Sequence, residues 1–131
     1  MSLQPLPVLI VEDDADARAM MQRIVLDTGA EALAVKGVNQ ALAAIDEFKP
    51  DILVSDLGMP DQDGYDLIRQ VRDRGLSHQD LPAIALTAFA RSEDRRRALL
   101  AGFQVHVAKP VDPHEIVAAI AALAGRTGVK S

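Results

Sequence analysis

Five polar side chains, scattered over most of the chain, have types that suit phosphoryl chemistry if the fold gathers them: Glu12, Asp13, Asp56, Thr87 and Lys109. Each comes at the end of a short apolar run: Val8–Val11, Ile52–Val54, Pro82–Leu86 and Phe103–Val107. Three carboxylates packed together repel and raise one another's pKa unless a cation holds them. Oxygen-only ligands select a hard ion such as Mg²⁺, which takes one or two carboxylates, keeps waters and accepts phosphate oxygens. A carboxylate left partly free is a nucleophile toward phosphorus. The Lys109 ammonium would then stand as a point charge on the phosphoryl oxygens, with the Thr87 hydroxyl hydrogen-bonding another of them.

Something must position these residues, and the apolar pattern says what. Continuous runs such as Val8–Val11 are expected of strands buried on both faces. Between them lie segments with helical spacing. Ala17, Met20, Met21, Ile24 and Val25 form the first stripe, closed by Gly29; Val38, Ala41, Leu42 and Ile45 form the second, ended by Pro50. Leu67, Ile68 and Val71 mark the third helix, and Ile116, Val117, Ile120 and Leu123 the fifth. The fourth, capped by Ser92 and running to Ala101 before Gly102, has the weakest pattern, because Glu93 to Arg97 are all charged. Ala30–Val35 reads as the second strand.

This alternation predicts an α/β fold: a (βα)₅, flavodoxin-like, doubly wound parallel sheet of five strands in order 2-1-3-4-5. In such sheets ligands bind outside the carboxyl ends of the strands, where the five polar residues fall. At 131 residues the chain suits one domain, expected over 5–125, with 1–4 and 126–131 as flanking tails. It has no cysteine, which excludes disulfides and thiolate metal sites. A net charge of −5, one Tyr, three Phe and no Trp argue against direct nucleic-acid binding. No apolar stretch approaches the roughly 18 residues of a membrane span and no signal peptide is visible, so the expectation is a cytoplasmic domain without membrane contact, whose parent protein could still be tethered.

Four motifs carry a family resemblance: Val-Leu-Ile-Val-Glu-Asp-Asp (8–14), Asp-Ile-Leu-Val-Ser-Asp-Leu-Gly-Met-Pro-Asp-Gln-Asp-Gly (51–64), Ala-Leu-Thr-Ala (85–88) and Ala-Lys-Pro-Val (108–111). From Leu6 to Ala124 the chain resembles a response-regulator receiver domain of two-component signalling, similar to the chemotaxis regulator. The resemblance implies that Asp56 is phosphorylated and that Mg²⁺ is held by Glu12, Asp13, Asp56 and the Gly58 backbone carbonyl. It implies switch or catalytic roles for Thr87, the Ala88 backbone N–H, Lys109 and His106, and a cis peptide before Pro110. It further implies a sensor histidine kinase or histidine phosphotransfer domain as partner and allows a phosphorylation-dependent dimer. The 56–60, 85–95 and 106–113 segments look most like C-terminal receivers of hybrid histidine kinases, so a stand-alone regulator and a piece of a hybrid kinase both stay open.

Two positions depart from the family's usual pattern. His106 stands where an aromatic switch residue is usual, which adds pH sensitivity near neutrality. Gly58 stands where many relatives carry Asn or Asp, so no side chain there can position a hydrolytic water, and Phe89 is placed to shield the site. A long-lived phosphoryl state is expected.

Blander readings apply elsewhere. Asp14 suits a helix cap, Asp61 and Asp63 shape a turn, Met20 and Met21 fill the core, His78 and His114 meet solvent, and Arg91, Arg95, Arg96 and Arg97 form a solvated face. The rival function is a Mg²⁺-dependent aspartyl-phosphate phosphatase. It would need an acid or base two residues after the nucleophile, where Gly58 stands.

Overall fold

The computed structural model describes residues 6–59, 63–88 and 91–126. Five strands and five helices alternate along the chain. They are β1 (Pro7–Val11), α1 (Ala15–Leu26), β2 (Glu31–Val35), α2 (Val38–Phe48), β3 (Ile52–Asp56), α3 (Gly64–Asp73), β4 (Ala83–Thr87), α4 (Ser92–Ala101), β5 (Val105–Ala108) and α5 (Pro113–Arg126). The strands form one parallel sheet in the order β2-β1-β3-β4-β5. This is the expected topology, and its reversal of strand order falls between β1 and β3.

Alternating side chains divide the strands' apolar residues between two layers. Leu9, Val11, Leu53, Ala83 and Ala85 pack against Ala41, Leu42, Ile45, Leu67, Ile68 and Val71 of α2 and α3. Val8, Ile10, Ile52, Val54, Ile84 and Leu86 face the other way, onto Met21, Val25, Ile116, Ile120 and Leu123 of α1 and α5. The central strands are therefore apolar on both faces, which explains their unbroken hydrophobic runs. Each such Leu or Ile contributes roughly 1.5–3 kcal/mol by leaving water.

Several boundaries differ from the sequence expectation. β5 is shorter, because Phe103 stands before it as a buried plug in the α3 layer. Strand β2 starts at Glu31, and Ala30 is a buried residue ahead of it. Ser92 is the first helical residue of α4 and not its cap; the extended residue before the helix is Arg91, whose side chain makes no capping bond. Met20 is 48% exposed while Met21 is buried. One residue turns a helix by about 100°, which carries Met20 off the stripe that Met21 shares with Val25. Asp14 does cap α1, accepting from the Ala17 N–H at 2.8 Å.

Candidate functional site

The carboxyl ends of β1, β3, β4 and β5 deliver Glu12, Asp13, Asp56, Thr87 and Lys109 to one edge of the sheet. Glu12, Asp56 and Thr87 are buried there, whereas Asp13 is exposed. Lys109 Nζ lies 2.9 Å from Glu12 Oε1 and 3.1 Å from Asp56 Oδ1. An ammonium thus bridges carboxylates from two strands. Desolvation lowers the affinity of Lys109 for its proton, but its hydrogen bonds to Glu12 and Asp56, together with their charges, outweigh that cost, so its pKa is raised.

The acidic corner is held by its own backbone. Arg18 of α1 reaches back, its Nη1 donating to the carbonyls of Glu12 at 3.0 Å and Asp13 at 3.3 Å. The Asp14 N–H donates to Glu12 Oε2 at 3.3 Å. On the β3 side the Gly58 N–H donates to Asp56 Oδ1 at 3.3 Å. Gly64 opens α3 so close behind Asp56 that a Cβ there would run into the Asp56 carbonyl oxygen. The Lys109 N–H donates to the Thr87 carbonyl at 2.8 Å, tying the ends of β4 and β5 together, and the Lys109–Pro110 peptide is cis.

Glu12, Asp13 and Asp56 each offer a carboxylate oxygen, and these oxygens lie within 4.8 Å of one another. A set of three oxygens with no imidazole or thiolate fits a hard divalent ion such as Mg²⁺. Beside it opens a cavity of about 280 Å³, lined by Asp56, Gly58, Thr87, Ala88 and Lys109 among others. That volume holds several waters at about 30 Å³ each, enough for a phosphoryl group. His106 does not line it. The register sets His106 beside Ala85, with the side chain part-buried. Phe89, Pro60 and Asp61 lie outside the described residues.

Three lining residues escape a reading of the sequence: Tyr65, Asp94 and Arg97. The Arg97 guanidinium carbon sits 4.1 Å from the centroid of the Tyr65 ring. Burial raises the Tyr65 pKa, and the Arg97 charge counters it. The one available signal is the three-residue spacing of Asp94 and Arg97, which sets them on a common helical face. Among the described residues, no helix is long and apolar enough to cross a membrane.

Known proteins resemble this chain in sequence and in fold. A family model described as the response regulator receiver domain matches residues 8–121. An uncharacterized 14.6 kDa protein from the sodA1 3′ region of Leptolyngbya boryana is 41% identical over 116 residues, 88% of each chain. The phosphate regulon transcriptional regulatory protein PhoB of Pseudomonas aeruginosa is 34% identical over 121 residues, covering 92% of this chain and 52% of the relative. The chain therefore spans about half the length of that regulator. Among solved structures, a putative response regulator from Chloroflexus aurantiacus superposes with a TM-score of 0.86 and 30% identity, over 93% of this chain and 99% of the other. The Vibrio cholerae chemotaxis protein CheY4, 24% identical with a TM-score of 0.84 over 91% of this chain and 98% of its own, shares the fold.

Proposed function

Because the chain belongs to the response regulator receiver domain family, we propose that Asp56 accepts a phosphoryl group from a histidine of a sensor kinase or of a phosphotransfer domain. The supporting observation is the Lys109 ammonium set between Glu12 and Asp56, at the edge of a cavity that also reaches Thr87. In the transfer an Asp56 carboxylate oxygen bonds to phosphorus as the donor's P–N bond breaks. The bonding pair returns to the ring nitrogen, and the ring, protonated at its other nitrogen, leaves as neutral imidazole. Glu12, Asp13, Asp56 and the Gly58 carbonyl are the groups to hold Mg²⁺, which when bound supplies positive charge opposite the phosphoryl oxygens. Lys109 pairs with those oxygens, and the Thr87 hydroxyl and Ala88 N–H donate to them. Fixed donors need no reorganisation during transfer, so positioning supplies most of the rate.

The proposed domain is 5–125. Its occupied state biases the face made by α4, β5 and α5, and that bias need not be complete: a swing from 1:99 to 99:1 takes about 5.5 kcal/mol of differential binding. PhoB is by name a transcriptional regulator, and the output attached to or contacted by this domain is a separate proposal. The motif likeness to hybrid kinases makes a kinase in the same chain one source of the phosphohistidine, with a separate kinase the other.

Intact mass after treatment with phosphoramidate and Mg²⁺ tests the proposal. One phosphoryl adduct is expected on the natural protein and none on Asp56→Asn. An equal adduct on both rejects Asp56 as the acceptor.

A further inference from the structure

The four arginines around α4 do not share one environment. Arg91, Arg95, Arg96 and Arg97 are all exposed, on the helix and at its cap. Arg97 alone among them lines the cavity beside Asp56, its guanidinium stacked on Tyr65. Tyr65 is only 7% exposed and belongs to the first turn of α3, immediately after the glycine that backs onto Asp56. The ring is therefore a fixed platform, and the exposed cation stacked on it lies at the mouth of the site.

Lys109 and Arg97 divide the cavity's positive charge unequally. Lys109 is engaged with Glu12 and Asp56. Arg97, among the described residues, makes no ion pair within 4 Å and lies one turn from Asp94, which lines the same cavity. An anionic phosphoryl group entering here would be repelled by Asp94 unless a nearby cation offset it. A stacked guanidinium suits that task. Its planar fork offers paired N–H donors matched to phosphate oxygens, while its π face can stay on the ring. Exposed stacking of this kind is worth only about 0.5–1 kcal/mol, so shifting the fork toward a phosphoryl oxygen costs little.

Resting on the phosphoacceptor reading of Asp56, we infer that Arg97 is a second phosphoryl-binding cation, held for the incoming group by the Tyr65 ring and supplied by α4. The phosphoryl oxygens then accept from Lys109, just past β5, and from Arg97 of α4. Occupancy of Asp56 is thereby felt directly by α4, in a chain whose switch position carries His106.

The chain has a single tyrosine and no tryptophan, so its intrinsic fluorescence reports Tyr65 alone. The experiment follows labelling by phosphoramidate in Mg²⁺ by intact mass and tyrosine fluorescence together, on the natural protein and on Arg97→Ala, Arg97→Lys and Asp94→Asn. Arg97→Ala is expected to lower the second-order rate constant of labelling about five- to tenfold, the scale of one charge-assisted hydrogen bond at a partly wet site. The fluorescence step that accompanies labelling of the natural protein should vanish in that variant. Arg97→Lys, which keeps the charge and stem and guards against misfolding, should recover part of the rate, and Asp94→Asn should label faster than the natural protein. An Arg97→Ala variant that labels at the natural rate overturns the inference and leaves Asp56 as acceptor. A variant altered only in its urea midpoint shows the stack to be structural and overturns it too. Absence of an adduct on the natural protein, by contrast, removes the underlying reading.

Discussion

Helices α3 and α4 are each ten residues long and both border the cavity beside Asp56, yet they are held very differently. Helix α3 starts with a capping box, the Asp63 side chain accepting from the Asp66 N–H and the Asp66 side chain from the Asp63 N–H. It buries Tyr65, Leu67, Ile68 and Val71. Its Arg72 donates to the carbonyls of Leu76, Leu81 and Gly102, fastening the helix to the entries of β4 and β5. Helix α4 has no side-chain cap, buries only Ala98 and leaves Leu100 81% exposed. The wall behind Asp56 is therefore fixed, and the wall facing it is loosely attached. A modest free-energy change at the cavity is therefore expected to shift the second wall before the first.

The contrast is easiest to break through packing. Ile68→Ala should cost about 2–5 kcal/mol in urea unfolding, because it opens a cavity in a fully buried layer. Leu100→Ala should stay within about 0.5 kcal/mol. Equal losses would erase the distinction. The helix starts sharpen it further: Asp63→Ala should cost about 0.5–2 kcal/mol, and Arg91→Ala, which removes no capping bond, close to nothing.

At the cavity itself, Gly58→Asn extends the fixed side without crowding it, since a Cβ there meets nothing within 4 Å. The added amide can orient a water toward the phosphoryl group, and the Asp56 phosphoryl lifetime should shorten by about tenfold, equivalent to ~1.4 kcal/mol of barrier. Decay of the mass adduct in Mg²⁺ reads this out, and an unchanged lifetime would show that the bare Gly58 position is not what preserves the group.

The smallest effect is electrostatic. Lys109 is held above its ordinary pKa, so the stability it contributes is complete below its unfolded value of about 10.4. That contribution is lost as pH rises through the higher folded value. The stability difference between the natural protein and Lys109→Met should accordingly shift in disfavour of the natural protein only above pH ~10.4, and a shift already present near pH 8 would contradict the raised value.

The sheet and the acidic corner are legible in the chain because both rest on local patterns. Val8–Val11 and Ile52–Val54 read as strands buried on both sides, and the polar residues next in the chain then fall at the carboxyl edge. The α4 rim is harder to read. Arg97 belongs to a run of charge that normally faces solvent, and its partner ring lies on another helix, so no sequence period links them. Met20 misleads for a related reason: an apolar side chain at the edge of a stripe reads the same as one inside it until the helix's rotation against the sheet is known. Phe103 extends the apparent fifth strand because core plugs and strand residues share a composition.

The decisive point is which atom takes the phosphoryl group. A phosphorylated carboxylate is a mixed anhydride and is cleaved by hydroxylamine to a hydroxamate, whereas phosphate esters of Ser55 or Thr87 survive that treatment. Peptide mapping after labelling and hydroxylamine should find the hydroxamate at Asp56, with the phosphoryl mass gone. A label that persists, or one that maps to Ser55 or Thr87, contradicts Asp56 as the acceptor.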